Sequence, residues 1–260
     1  MKRKNYSSAT IRGKLRVCRM LSACRPLRKH VPHTVPLRLS NLKMMAARYS
    51  SVYIKPDIGS YGIGIYKLTC LPRGYELFST RKRKQNRQTF LSLAEVISHI
   101  NMRQKGCRMI IQQAIKLGQL AGRPYDIRSM IQRKPRESWV CTGIMAKIGV
   151  RNRIVTNVYQ GASLHTYSSL LKQRGLSEEA RSSHIAYVTR KSLEISRFLS
   201  TRQKGMHELG IDFAMDRNNR LWILEVNSNH PQFHPLKNVD PPAYRRMMSF
   251  ARSYGRRTAH

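Results

Sequence analysis

Gly210-Ile211-Asp212-Phe213-Ala214-Met215, a polar run Asp216-Arg217-Asn218-Asn219-Arg220, and Leu221-Trp222-Ile223-Leu224-Glu225-Val226-Asn227 together read as a β-hairpin. Both arms are apolar or alternating, as strands are. Asn218 and Asn219 supply the turn, because Asn tolerates the left-handed backbone that a two-residue hairpin turn requires. That register sets Arg217 opposite Arg220 and, stepping outward, Asp212 opposite Glu225. Asn227 shares their face two residues on, while Phe213, Leu224 and Val226 point the other way, into a core. Directly opposed side chains have Cβ atoms roughly 5 Å apart, where like charges repel.

Two carboxylates and an amide oxygen gathered on one face need a counter-charge. The chain has 49 Lys and Arg against 13 Asp and Glu, so one reading is a polar face neutralised by nearby arginines. The other is a hard divalent cation. Mg²⁺ takes oxygen ligands, commonly one or two carboxylates with substrate phosphates and water completing the shell, and Mn²⁺ accepts the same donors. The segments upstream favour the metal at Asp212, Glu225 and Asn227.

At 260 residues and 41% hydrophobic content, the chain suits one large domain or two small lobes. No apolar run approaches the roughly 18 residues of a membrane span. The start, Met1-Lys2-Arg3-Lys4-Asn5, is basic with no apolar region after it, so no secretory signal is expected. Cys18, Cys24, Cys70, Cys107 and Cys141 are scattered with no CxxC pair, which argues against a zinc site or a disulfide frame and for a reducing, cytoplasmic setting. The net charge of +36 favours polyanionic partners, nucleic acid among them. The charge is spread along the chain, and its densest run, Arg81 to Arg87, reads as a loop between strands without any finger, homeodomain or RNP motif.

Periodicity predicts helices around Ile11–Cys24, over Ser40–Tyr49 with Ser40 as N-cap, over Ser92–Gln104 with a Ser92/Glu95 capping box, over Ser177–His207, and from Pro241 to about Tyr254. Strands are expected at Val52–Lys55, Ile65–Cys70, Tyr75–Ser79, Arg108–Ile115, Tyr125–Lys134 and Trp139–Ile148. Helices and strands intermix, with hairpins outnumbering βαβ units, so the class is α+β.

A glycine loop, Asp57-Ile58-Gly59-Ser60-Tyr61-Gly62-Ile63-Gly64, follows Lys55-Pro56 and lies between two strands. Glycines let backbone N–H groups close over phosphates, and a lysine at the preceding strand end reaches phosphate oxygens. The loop lacks the Walker G-K-[ST] and is followed by a strand, so neither the P-loop nor the dinucleotide fingerprint applies. Gln112-Gln113 end a buried strand with two amides suited to reading an adenine edge. Asp126 and Arg128 share one face of the next strand, where the arginine fork suits a developing phosphate or acyl-phosphate charge. Lys147 and the stretch Arg153 to Ala162, which includes Asn157, add basic and amide groups.

In this order the motifs resemble the ATP-grasp superfamily, and within it the endospore coat-associated YheC/YheD family. The matching residues are Lys55-Pro56 with Gly59-Ser60-x-Gly62-x-Gly64-Ile65, Gln112-Gln113, Asp126-Ile127-Arg128, Thr156-Asn157 with Gly161, Gly210-Ile211-Asp212-Phe213, and Glu225-Val226-Asn227-Ser228. His30-Val31-Pro32-His33-Thr34 is similar to the family's leading Leu-Pro-Glu-Thr. The resemblance spans residues 30–235. It implies two α+β lobes gripping ATP, with residues 1–35 a basic remnant of a preceding domain and residues 36–255 the ATP-grasp domain. Lys55 and the Gly59, Ser60, Gly62, Gly64 loop would hold the phosphates, with Lys14 as a second phosphate lysine. Gln112, Gln113 and the backbone near Ile115 would hold adenine. Asp212, Glu225 and Asn227 would carry Mg²⁺, and Arg128, Lys147 and Asn157 would face the transferred group.

The implied activity is ATP-dependent carboxylate–amine ligation through an acyl phosphate. Its acceptor would be an unidentified carboxylate, such as an acidic polymer or peptide, and the protein would be cytoplasmic with spore association. Two other readings stand beside it: a non-catalytic ATP-binding spore-coat component, and a basic nucleic-acid-binding protein. The chain departs from the family pattern at His33, which replaces the leading acid. Lys147 stands where ligases often have Arg, and Asn219 replaces the usual turn glycine.

Overall fold

The computed structural model describes residues 4–81 and 84–259. The chain begins with α1 (Lys14–Ala23), α2 (Arg25–Arg28), β1 (Thr34–Pro36) and α3 (Leu39–Arg48). It continues through β2 (Ser51–Pro56), β3 (Tyr66–Cys70), β4 (Tyr75–Arg81), β5 (Lys84–Phe90), α4 (Leu93–Arg103) and β6 (Met109–Gln113). These strands form a six-stranded antiparallel sheet in the order β1-β6-β2-β3-β4-β5. Helices α3 and α4 cover one face, burying Leu42, Met45, Val96 and Ile100 against Val52, Ile54, Leu68 and Ile111.

The expected Ser92 cap of α4 forms, with Glu95 reaching one residue past it. The Ser92 hydroxyl accepts from the Glu95 N–H at 3.2 Å, and the Glu95 carboxylate accepts from the Leu91 N–H at 3.3 Å. Helix α3 departs from expectation by starting at Leu39, with Arg38 at the N-cap and no side-chain cap. The basic run expected to be a loop contributes to strands instead. Arg81 ends β4, Lys84 opens β5 and the two pair across the hairpin, while Lys82 and Arg83 lie outside the described residues. The physical reason is position: β5 is an edge strand with largely exposed side chains, where charge is tolerated and blunts further pairing.

The second half contains β7 (Gln119–Leu120), β8 (Arg123–Gln132), β9 (Val140–Ile148), β10 (Ser163–Thr166), α5 (Tyr167–Gln173) and α6 (Glu178–Arg202). It ends with β11 (Glu208–Met215), β12 (Leu221–Asn227), α7 (Leu236–Val239) and α8 (Pro241–Ser253). Its sheet runs β10-β9-β8-β11-β12, with β7 pairing β8 at the side. One face takes α1, α2, α5 and α6, so that Val17, Leu21 and Leu27 from the N-terminal helices share a core with Ile195, Leu199, Ile211 and Phe213. Helix α8 packs on the other face through Met247, Met248 and Ala251. Residues 114–118 join the sheets, and the Gly118 N–H donates to the Met215 carbonyl at 2.7 Å.

The hairpin has the expected pairing near its open end and a different one at its turn. Asp212 pairs with Glu225 and Gly210 with Asn227. Past Asp212 the register shifts, so Phe213 pairs with Ile223 and Leu224 becomes the extra residue of a bulge. Ile223 therefore joins Phe213 in the core, and Leu224 is only half-buried. The turn is longer than two residues: the Asp216 N–H donates to the Arg220 carbonyl at 3.0 Å and the Asn219 N–H to the Asp216 carbonyl at 3.1 Å. The Asp216 carboxylate accepts from the Asn218 and Arg220 N–H groups and from Trp222 Nε1, which stabilises this wider turn over the tight one.

Asn219 alone carries the left-handed backbone of the turn, at φ +58°. Asn219→Val should therefore cost about 1–2 kcal/mol, whereas Asn219→Gly should leave stability nearly unchanged. Urea denaturation midpoints of the two variants test the turn directly.

Candidate active site

The inner faces of the two sheets carry several clusters of bonded polar side chains. On the second sheet, three neighbouring strands align four charged side chains: Asp126 pairs with Lys147 across β8 and β9, and Arg128 pairs with Asp212 across β8 and β11. Strand alternation keeps all four on one face. The Arg128 guanidinium grips Asp212 as a fork, with Nε to Oδ1 and Nη2 to Oδ2 both at 2.6 Å. Gly210 makes this approach possible, since a Cβ there would sit 3.3 Å from the Arg128 Nη1 and 2.9 Å from Pro231.

Lys147 Nζ lies 3.0 Å from Asp212 Oδ1 and 2.8 Å from Asp126 Oδ1, bridging the two acids. The other Asp126 oxygen accepts from the Thr156 hydroxyl, which ties the loop carrying Asn157 to the strand. Burial alone would push the Asp212 carboxyl up. Arg128 and Lys147 outweigh it and hold the group well below the usual carboxylate range. Asp126 is pushed up by burial, which Lys147 only partly offsets. Lys147 would be lowered by burial, but Asp126 and Asp212 raise it, so it stays an ammonium.

Glu225 lies across from Asp212 and receives Lys14, whose Nζ sits 3.3 Å from Oε1 and also donates to the Gly59 carbonyl at 2.9 Å. Lys14 thus joins the hairpin of one sheet to the glycine loop of the other. Asp57, at the start of that loop, holds α1 in place: its carboxylate accepts from the Leu15 N–H at 2.8 Å and its carbonyl from the Lys14 N–H. Asn227 donates to Asp212 Oδ2 at 3.4 Å. Asp212, Glu225 and Asn227 are therefore brought together as two carboxylates and one amide. Among the described residues no group of three or more His, Cys, Asp or Glu could hold a metal by itself. This donor set fits a cation that keeps phosphate and water ligands, and does not fit a self-contained protein cage.

Across the cleft, Lys55 Nζ donates to Gln112 Oε1 at 2.8 Å, and Gln112 Nε2 donates to the Thr34 hydroxyl at 3.0 Å. Burial lowers the Lys55 ammonium, and the nearby Glu225 carboxylate partly restores it. Gln113 is half-buried, its Oε1 accepting from the His33 N–H at 3.3 Å, and Ile115 lies half-buried in the segment joining the sheets.

The glycine loop is pinned from both sides. The Thr80 hydroxyl donates to the Gly62 carbonyl at 2.8 Å, and Gln232 Nε2 donates to the Tyr61 hydroxyl at 2.8 Å. Gly62 has φ +68° and lies against Asn157, where an added Cβ would be 3.5 Å from the Asn157 Cβ. Ser60 is exposed at the loop crest, and Gly64 turns the chain into β3. Asn157 uses its own Oδ1 to accept from the Tyr159 N–H, which caps the 3₁₀ turn Val158–Gln160.

Of the residues singled out in the sequence, Lys14, Lys55, Gly59, Gln112, Arg128, Lys147, Asp212, Glu225 and Asn227 bond within these clusters, Gly62 lies against Asn157, and Gln113 bonds instead to the His33 N–H. Sequence reading passed over Thr34, Asp57 and Thr156 as partners and treated Asp126 only as a neighbour of Arg128. Each bonds to a residue far away in the chain, so no local spacing announces it.

The model of the YheC/D-like ATP-grasp family matches residues 4–255. The chain belongs to that family. Two curated relatives come from Bacillus subtilis (strain 168). The endospore coat-associated protein YheD is 28% identical over 220 residues, covering 80% of this chain and 46% of the relative. The endospore coat-associated protein YheC is 20% identical over 220 residues, covering 82% of this chain and 58% of the relative. The chain thus spans about half the length of the curated relatives it matches.

Among solved structures, the ATP-grasp ligase PsnB, complexed with a phosphomimetic variant of a minimal precursor, Mg and ADP, aligns with a TM-score of 0.51 at 12% identity. The alignment covers 93% of this chain and 58% of that one. The C-terminal domain of K. lactis Pby1, an ATP-grasp enzyme interacting with the mRNA decapping enzyme Dcp2, aligns with a TM-score of 0.50 at 12% identity, covering 90% of this chain and 69% of that one. These likenesses establish the ATP-grasp fold, two mixed α+β halves. Among the described residues, no helix is long and apolar enough to cross a membrane.

The buried pair has a pH signature. Because the folded Asp212 carboxyl titrates below its unfolded value of about 4, its contribution is full above that value and is lost as pH falls through the folded pKa. Asp212→Asn leaves Arg128 and Lys147 without their shared partner and should cost about 3–5 kcal/mol at neutral pH. The gap between variant and wild type should narrow below about pH 4, as read by denaturant melts across pH.

Proposed function

We propose that this YheC/D-like ATP-grasp chain binds Mg-ATP between its two sheets and uses it to activate a carboxylate for transfer to an amine. The observation that carries the reading is the convergence of Lys55, Lys14 and the glycine loop on the Asp212–Glu225–Asn227 face. Phosphate-binding cations and backbone there meet carboxylates that suit a metal. Lys55, released from Gln112, would donate to phosphate oxygens, and the loop from Gly59 to Gly64 would cover them with its N–H groups. Gln112, Gln113 and the backbone near Ile115 would line the adenine end, beside the segment that joins the sheets.

Asp212, Glu225 and Asn227 would hold Mg²⁺, which when bound would draw charge off the phosphates as a Lewis acid. For these ligands to serve, Arg128 must share or release the Asp212 oxygens. Its guanidinium, freed toward the cleft, then becomes available for the transferred phosphoryl group, with Lys147 beside it and Asn157 on the loop above. In the full reaction a carboxylate oxygen of the acceptor attacks the γ-phosphorus, the bond to ADP breaks, and ADP leaves. An amine then attacks the acyl carbon and inorganic phosphate departs. The endospore coat-associated names of the relatives YheD and YheC support a role near the spore for this chain as well.

Titration calorimetry should show Mg²⁺-dependent ATP binding that Glu225→Gln weakens about tenfold or more and Lys55→Met weakens without removing the metal dependence. Binding without phosphate release against a panel of carboxylate and amine substrates would instead identify a non-catalytic nucleotide-binding protein. That outcome would fit Arg128 as a permanent occupant of the Asp212 oxygens. Absence of Mg-ATP binding would overturn the proposal.

A further inference from the structure

Asp57 is the first carboxylate in the chain, so everything before it carries basic charge without acidic relief. Part of that charge lies on the exterior of α1 and α2. Helix α1 buries Val17 and Leu21 in the core of the second sheet, and α2 buries Leu27 there. Arg16 and Arg19 fall on the face of α1 opposite Val17 and Leu21, and Arg12 before α1, with Arg25, Arg28 and Lys29 along and after α2, are exposed as well. None of these six takes part in an ion pair of the described residues. Two acids at the start of α1 are already engaged: Glu225 by Lys14, and Asp57 by the N–H groups of Lys14 and Leu15.

The stripe has a direction. Its Arg12 end adjoins Lys14, which touches both Glu225 and the glycine loop. Its other end follows α1 to α2. A ten-residue helix is about 15 Å long, so the whole stripe runs on the order of 20 Å, which roughly six residues of extended peptide would span.

We propose that the α1–α2 stripe is a docking surface for an acidic peptide, which it delivers carboxylate-first to the phosphate end of the cleft. The occupant is argued from charge and from what the site would do with it. Guanidinium forks pair with carboxylates in two-point contacts, and five of the six groups are arginines rather than lysines. The stripe contains no aromatic side chain on α1 or α2, so it offers no stacking platform for single-stranded nucleic acid. A nucleic acid would also bring no carboxylate to the site, whereas an acidic peptide brings several in series. The destination of the peptide rests on the carboxylate-activating function proposed above, while its docking on the stripe depends only on the charge arrangement.

The test uses the full chain and a fluorescein-labelled oligoglutamate followed by fluorescence anisotropy. Arg12→Gln, Arg16→Gln and Arg19→Gln combined should weaken binding about tenfold at moderate salt. A control of equal charge change at exposed sites elsewhere, Arg73→Gln, Arg197→Gln and Arg245→Gln, should weaken it by less than about twofold. Mg-ATP binding by calorimetry should be the same in both variants. Equal loss in the two variants would overturn the docking surface, leaving only the diffuse effect of net charge. So would a short DNA duplex that displaces the peptide at matched ionic strength with the same stripe dependence, which would make the surface a nucleic-acid site. Failure of wild-type Mg-ATP binding with stripe-dependent peptide binding retained would overturn the function proposed for the cleft and leave the docking surface standing.

Discussion

The fork that Arg128 closes on Asp212 is the constraint around which the rest of the cleft is arranged. Two oxygens and two nitrogens at 2.6 Å, almost fully withdrawn from water, form a contact that neither partner can leave without a replacement charge. Gly210 is a glycine because the fork and Pro231 occupy the space of a side chain. Lys147 is bound into the same group through Asp212 and carries the network on to Asp126 and Thr156. Strand register, loop position and site charge are thus settled together by one buried pair and its bridging lysine.

That arrangement is suited to exchange of partners. Every cation in the cleft holds a protein oxygen that a phosphate or a metal would compete for: Lys55 holds Gln112, Lys14 holds Glu225 and the Gly59 carbonyl, and Arg128 holds Asp212. A site of preformed donors already at short distances loses little ordering entropy when anionic oxygens replace protein ones. The same feature joins the two halves. Lys14 and the Tyr61–Gln232 contact cross from the glycine loop to the second sheet, and Tyr53 donates to the Ile154 carbonyl at 2.7 Å, so the cleft is bridged at several points.

Charge gives the molecule a second level of organisation. A net +36 cannot be neutralised internally by 13 acids, and the acids that exist are drawn disproportionately into buried positions: Asp126, Asp212 and Glu208 all lie inside. Glu208 binds Arg256 at 2.6 Å and Lys4 at 3.2 Å, tying residues near both ends of the chain to the same face of β11 as Asp212, four residues along the strand. With these carboxylates committed to structure, the exterior is left cationic, and no acid precedes Asp57 to offset the exposed arginines of α1 and α2.

Much of this was readable in the sequence. Local signals decided what depends on neighbours within a few residues: β2, β3, β4, β6, β8, β9 and the β11–β12 hairpin by their apolar or alternating runs, though not β1, β5, β7 or β10, α4 by its Ser92 cap, α6 by its long periodic run, and the pairing of Asp212 with Glu225 by counting outward from a turn. The width of the turn is not a local signal, because Asp216 accepts three hydrogen bonds that stabilise a wider loop, and the resulting bulge exchanges Leu224 for Ile223 in the core. Lys84 to Arg87 read as loop by composition, whereas their position at the sheet edge makes them strand. What only the tertiary structure decided is who holds whom across the cleft. Arg128 and Asp212 are separated by 84 residues in the chain, Lys55 and Gln112 by 57, and Lys14 and Gly59 by 45. Residue types and their spacing specified intermixed strands and helices and an acidic hairpin. The contacts that make a site of them come from burial of both sheets on their helices, which sets distant side chains face to face in a place where water no longer competes for their hydrogen bonds.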